Sequence, residues 1–497
     1  MLTDDERADI QGFVFSGYGH LPTAAYLVPQ FNDPDGARRW LALMLPSVAT
    51  AAPWPTGADG RTAKPPSTLN VAFTAAGLRA LDLPERVVHT FAPEFQEGMS
   101  HPERARILGD TGASAPEHWE LGGPAQAEVH AVLFAHASSE EALDSLVAHV
   151  REGMEQTRGA VRELPGSLQR GVIPDGHYEP FGFRDGMGQP SIVGIEGHGV
   201  PTGEFVLGHL NHYGLIAPGP VVPSSLDPQG LLPALANPHH APGSWHDLGR
   251  NGTYVVYRKL EQDVAGFWHF MKEEARRWGK GTDVKAMVRL ASRCVGRWPG
   301  GAPLVLRPDA PDAALDREDG FLYATSDPHG LACPLGAHIR RTNPRDDLKP
   351  YPPQQSLSMS EAHRLLRRGR VFGSALFDPR MLAAPDGTAA RRLLALEDDG
   401  RARGIHFVCV NASIASQFEF VQQAWCNSPH FLGLHDNPDP LVGGHDDPEH
   451  PAYMSLPRSR GGLERTAPLT RFVTVRGGAY LFMPGMAALG FLARHGA

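Results

Sequence analysis

The chain is short of the features that would place it quickly. Four cysteines, Cys294, Cys333, Cys409 and Cys426, lie far apart with no C-x-x-C pair. That excludes an all-cysteine zinc site, argues against a disulfide framework, and makes the reducing cytoplasm the simplest compartment. No run of about 20 apolar residues is present, so no membrane span is expected. The opening residues MLTDDERADIQG lack the basic and apolar regions of a secretory signal. There is no block of like charge either. A formal net charge of −9, spread evenly, argues against nucleic acid as a partner, because phosphate recognition needs concentrated Lys and Arg. Gly279-Lys280-Gly281-Thr282 lacks the earlier glycine of a phosphate-binding loop. His239-His240 and the run from His445 to His450 hold metal-ligand types, but neither has H-E-x-x-H spacing, and Pro448 interrupts any helical face.

What is present is an ordinary globular composition. The 497 residues are 41% hydrophobic and 20% charged, enough for a sizeable core and two or three domains. Four segments share one grammar, an apolar run followed by an amphipathic helical stretch. They are 24–31 with a helix over 34–45, 129–135 with a helix to about 150, 253–259 with a helix over 262–278, and 405–411 with a helix over 413–425. Ser138 with Glu141 three residues later reads as a capping box. Two strand–helix units per half suit an α+β protein with helices packed on antiparallel sheets. The expected division is 1–170, a Gly-, Pro- and His-rich linking segment 171–250, and 251–497.

Three short segments could carry chemistry. Gly182-Phe183-Arg184-Asp185-Gly186 brackets an Arg-Asp pair with glycines, which permit a sharp turn and close approach to a ligand. A carboxylate there can serve as a general acid/base, or simply close a turn. Cys333-Pro334-Leu335-Gly336-Ala337-His338-Ile339-Arg340-Arg341-Thr342-Asn343-Pro344-Arg345 sets one His before several Arg. Its imidazole could ligate a metal while the arginines pair with carboxylates, or it could be one more of 24 histidines. Arg367-Arg368-Gly369-Arg370-Val371-Phe372-Gly373 reads as the end of a helix begun near Ser360, where basic residues complement the dipole.

Together these segments resemble the dye-decolorizing peroxidase family. GFRDG is similar to its G-x-x-D-G signature, CPLGAHIRRTNPR to its proximal histidine segment, and LRRGRVFG to the segment with its distal arginine. Weaker similarities run from residue 9 to about 492. The resemblance implies two tandem ferredoxin-like α+β domains and one non-covalent haem b, with the G-x-x-D-G loop over its distal face. It implies His338 as axial iron ligand, Asp185 and Arg367 as the pair that handles hydrogen peroxide, and Arg340, Asn343, Arg345, Ile405, Phe407 and Gly186 around the cofactor. Asp439, with Glu419 as second choice, is the expected partner of the His338 imidazole. The implied activity forms a ferryl haem that oxidises dyes, phenols or other one-electron donors, with Trp425, Trp268 and Tyr351 as candidate electron relays. A homo-oligomer is compatible with all of this. Val371, Pro180 and Ile405 depart from the residues usual in the family.

Overall fold

The computed structural model describes residues 1–495 except 58–59, 236–242, 282, 384–386, 446 and 448. The first half contributes β1 (Thr23–Leu27), α1 (Pro34–Met44), β2 (Ser67–Phe73), β3 (Ala131–Ala137), α2 (Glu140–Glu155) and β4 (Gln169–Val172). The second contributes β5 (Thr253–Gln262), α3 (Val264–Arg277), α4 (His338–Thr342), α5 (Pro353–Ala362), β6 (Leu366–Arg367), β7 (Arg370–Phe372), β8 (Gly404–Asn411) and β9 (Val473–Met483). The helices start where side-chain oxygens cap free amides. Asp33 accepts from Gly36 N, Ser139 from Ala142 N, and Asp263 from Gly266 N. The cap of α2 is therefore Ser139, one residue after the Ser138 expected from sequence.

Each half follows the order strand, helix, strand, strand, helix, strand. The sheet order is β2-β3-β1-β4 in the first and β6/β7-β8-β5-β9 in the second, with every pairing antiparallel. This is the ferredoxin-like arrangement, twice, as expected. β6 and β7 meet β8 in one unbroken register, Leu366↔Val410 to Phe372↔Gly404, so they act as a single strand. β4 pairs with β7 and β2 with β9, which joins the two sheets into a closed barrel. Closure leaves no exposed edge. The segment at 366–372, read from sequence as a helix end, is thus a strand. α5 stops at Ala362, and Arg368 and Arg370 point into the barrel at positions where an apolar pattern would have marked a strand.

The lumen is a packed core. Ala24, Tyr26, Phe134, Val255, Tyr257, Val408 and Leu481 fill it, together with Phe13, Val14 and Tyr18 from the N-terminal segment. Arg368 donates to Phe13 O and Val14 O, and Arg370 to Gly17 O, tying that segment to the strand behind it. Outside, Trp40 and Leu41 of α1 and Leu143 and Val147 of α2 cover the first half's sheet. The helical run after β8 is π-helical, Ile414–Glu419 and Val421–Cys426, a wider winding often found at functional sites. His239 and His240 lie outside the described residues. Among the described residues no group of three or more His, Cys, Asp or Glu is arranged to hold a metal, and no helix is long and apolar enough to cross a membrane.

Candidate active site

The loop carrying Asp185 is a hairpin fixed by its own backbone. Gly182 N donates to Glu179 O at 2.8 Å, Glu179 N to Phe183 O at 2.9 Å, and Asp185 N to His177 O at 2.8 Å. Pro180 presets the second position of the turn. Gly182 has φ +98°, and a Cβ there would sit 2.5 Å from Leu382 Cδ1, so glycine is required on both counts. Gly186, at φ +84°, follows Asp185 and offers its N–H to that carboxylate.

Asp185 meets Arg367 across the hairpin. Arg367 Nη1 donates to Asp185 Oδ1 at 3.0 Å, Nη2 donates to Met187 O at 2.6 Å, and Gln189 Oε1 accepts from Arg367 N at 3.0 Å. Strand alternation turns Arg367 to the outer face of the sheet, with Ile405 and Phe407 of β8, both only half-buried. The Asp185 side chain is 46% exposed and that of Arg367 35%. Burial is nevertheless the largest influence on Asp185 and raises its pKa. The Arg367 guanidinium, the Gly186 N–H and His338 outweigh it and hold the carboxyl below its usual range.

His338 opens α4, with its side chain 27% exposed. Its Nδ1 lies 2.9 Å from Asp439 Oδ2, and Asp439 is fully buried. Asp439 Oδ1 accepts from Leu441 N at 2.9 Å and Val442 N at 3.0 Å. Burial raises the Asp439 pKa, but His338 and these bonds prevail and keep it below the ordinary value. A carboxylate so held accepts a hydrogen bond from Nδ1–H and leaves Nε2 as the nitrogen able to ligate a metal. Glu419, the second candidate, is engaged elsewhere, with Tyr480 Oη at 2.8 Å and Arg104 Nη1 at 3.0 Å. The charges of Arg367 and Asp185 both act on His338, so the three residues share one electrostatic neighbourhood.

The remaining sequence candidates divide. Arg340, expected around the cofactor, is bonded within the protein framework. It is fully buried, and its guanidinium bonds to Asp347, Asp327, Cys333 O and Asp327 O through all five N–H groups. Asn343 is the C-cap of α4 and half-buried. Arg345 grips Asp319 and stacks on Phe321, while its buried Nε has no partner. Arg364, not anticipated from sequence, donates to Gly188 O. Burial, aided by the neighbouring Arg345, pushes it down to about 10. Of the relay candidates, Trp425 and Trp268 are buried and Tyr351 is 43% exposed. His450 and Asp447 form an exposed pair.

Residues 9–170 match the family model described as the DyP dimeric alpha+beta barrel domain. A dye-decolorizing peroxidase of Auricularia auricula-judae is 26% identical over 97% of this chain and 86% of its own length. Among solved structures, a DyP-type peroxidase of Anabaena sp. superposes with a TM-score of 0.72 at 22% identity, covering 98% of this chain and 95% of that one. A dye-decolorizing peroxidase in complex with 2,6-dimethoxyphenol superposes with a TM-score of 0.74 at 22% identity, covering 98% and 99%. These structural likenesses concern the fold.

Proposed function

We propose that the chain is a dye-decolorizing peroxidase, as the family model over its first third and the full-length relative support, and that it uses hydrogen peroxide to oxidise dyes and phenols at a single non-covalent haem b ligated by His338. The observation that carries this reading is the pairing of His338 with Asp439 and of Arg367 with Asp185, with the charges of the second pair acting on His338. The residues fit the cofactor. A free Nε2 awaits iron, Ile405 and Phe407 offer an apolar wall, and Arg345 and Arg364 are cations suited to the two propionates. The phenol-bound relative supports phenolic donors.

When bound, haem supplies the redox chemistry, taking the oxidising equivalents of peroxide and returning them one electron at a time. Asp185, ionised beside Arg367, accepts a proton from the incoming peroxide at its free oxygen and returns it to the departing one. Arg367 offsets the negative charge that develops on that oxygen. Asp439 holds the His338 ring in orientation and keeps Nδ1 protonated. Ile405 and Phe407 shield the proposed peroxide site from bulky donors, so such donors react from outside it.

The division into 1–170, 171–250 and 251–497 is part of the same reading, supported by the repeated sheet order and by the family model ending at residue 170. Four buried free cysteines support a cytoplasmic location. The test is an absorption spectrum of haem-loaded protein before and after one equivalent of peroxide. A prompt shift of the haem band is expected. A haem-loaded protein whose spectrum stays unchanged overturns the reading.

A further inference from the structure

The hairpin that carries Asp185 is held by a second carboxylate that plays no part in the proton transfer. Glu179 Oε1 accepts from Phe183 N at 2.9 Å. Its Oε2 accepts from Phe181 N at 3.0 Å and from Gln262 Nε2 at 2.8 Å. Gln262 is buried at the end of β5, and its own Oε1 has no partner. The side-chain amide is therefore turned wholly to serve the carboxylate. From α3, Trp268 Nε1 donates to Phe181 O at 3.0 Å and fixes the same turn from its other side. Two hairpin amides thus converge on one side chain that is anchored to the barrel, and only Arg184 separates the second of them from Asp185.

The site is unfavourable for the charge it holds. Burial pushes the Glu179 carboxyl up to about 7 despite its three donors, and Asp185, of like sign, adds to the rise. A carboxylate kept where its charge is disfavoured points to a role other than stability. We propose that Glu179 is a positioning residue: it latches the hairpin to β5 and so sets where the Asp185 carboxylate stands opposite Arg367. Without it, the Phe181 and Phe183 amides face protein with no acceptor, and the turn must rotate to find one. Displacement of a reacting group by about 1 Å can lower a rate by about 100-fold.

The kinetic half of this proposal rests on the peroxidase reading, and the structural half does not. Glu179→Ala and Glu179→Gln are compared with the wild-type holoenzyme. In Glu179→Ala, hydrogen exchange at the Phe181 and Phe183 amides is expected to quicken about tenfold. The second-order rate with hydrogen peroxide should fall about 10- to 100-fold. Haem content, the axial histidine signature and KM for 2,6-dimethoxyphenol should hold. Glu179→Gln should recover part of both effects, because its amide oxygen can accept from one of the two N–H groups. In an Asp185→Ala background Glu179→Ala should cost no further rate, since it acts through Asp185. Unchanged exchange overturns the latch. Unchanged peroxide rate, or additive losses in the double variant, overturns the positioning role. Should Glu179→Ala fail to fold, Glu179→Gln is read by the same criteria. If the wild type itself fails to react with peroxide, the peroxidase reading falls, and the latch is judged on exchange alone.

Discussion

The two halves of the barrel share one topology and use its outer face in opposite ways. In the first half, Ala25, Leu27, Leu133 and Ala135 are sealed beneath α1 and the regular helix α2. In the second, the corresponding face presents Arg367, Ile405 and Phe407, only half-buried, and the helical run after β8 is wound as π-helix. The segment between α3 and β6 brings in His338 to face that opening. A repeated fold thus gains a site by leaving one copy unfilled. The filled copy closes the barrel through β4 and β2 and holds the open copy's strands in register.

The contrast can be broken in several ways. The largest effect is expected from His338→Ala, which should lose most of the bound haem when haem is quantified per chain; undiminished binding would place the ligand elsewhere. Next, Asp185→Asn should slow the reaction with peroxide by about 10²–10⁴, and Arg367→Leu by about 10²–10³, in stopped-flow traces. Arg367→Leu also carries a pH signature. With Arg367 present, the Asp185 pKa lies below its usual value. The paired charge is therefore fully present above the ordinary carboxylate pKa and is lost only as pH falls through the depressed one. Removing the guanidinium leaves burial opposed more weakly, so the acid limb of the peroxide rate should move to higher pH. An unmoved limb would separate Arg367 from the Asp185 charge. The smallest effects concern stability in haem-free protein. Leu133→Ala, in the filled half, should cost about 2–5 kcal/mol by denaturant unfolding. Phe407→Ala, half-buried on the second half's outer face, should cost under about 1 kcal/mol. Equal costs would remove the distinction between the halves.

Much of the site was legible because Asp185, His338 and Asp439 each sit in a short run of unusual composition. The fold was legible where an apolar strand led into an amphipathic helix. It was not legible at 366–372, because the alternating positions that face the lumen are Arg368 and Arg370, buried charges that donate to backbone carbonyls. A strand whose interior face is basic carries no period-two hydrophobic signal. The surroundings of Arg340 were hidden for a related reason. One turn of helix puts adjacent arginines in different surroundings, and only Asp327 and Asp347, brought near by folding, decide which. Glu179 and Arg364 passed unnoticed because most of their partners are main-chain groups, which every sequence has.

The threading of the N-terminal segment through the lumen ties the beginning of the chain to its chemistry. Arg368 and Arg370, which grip Phe13, Val14 and Gly17, lie on the strand whose opposite face holds Arg367. Trimming the protein back beyond Gly17 would strand two guanidiniums in an emptied core, each seeking new acceptors. The first casualty of such a deletion would be the setting of Arg367, a distant part of the sequence that a gene-level view would count as untouched.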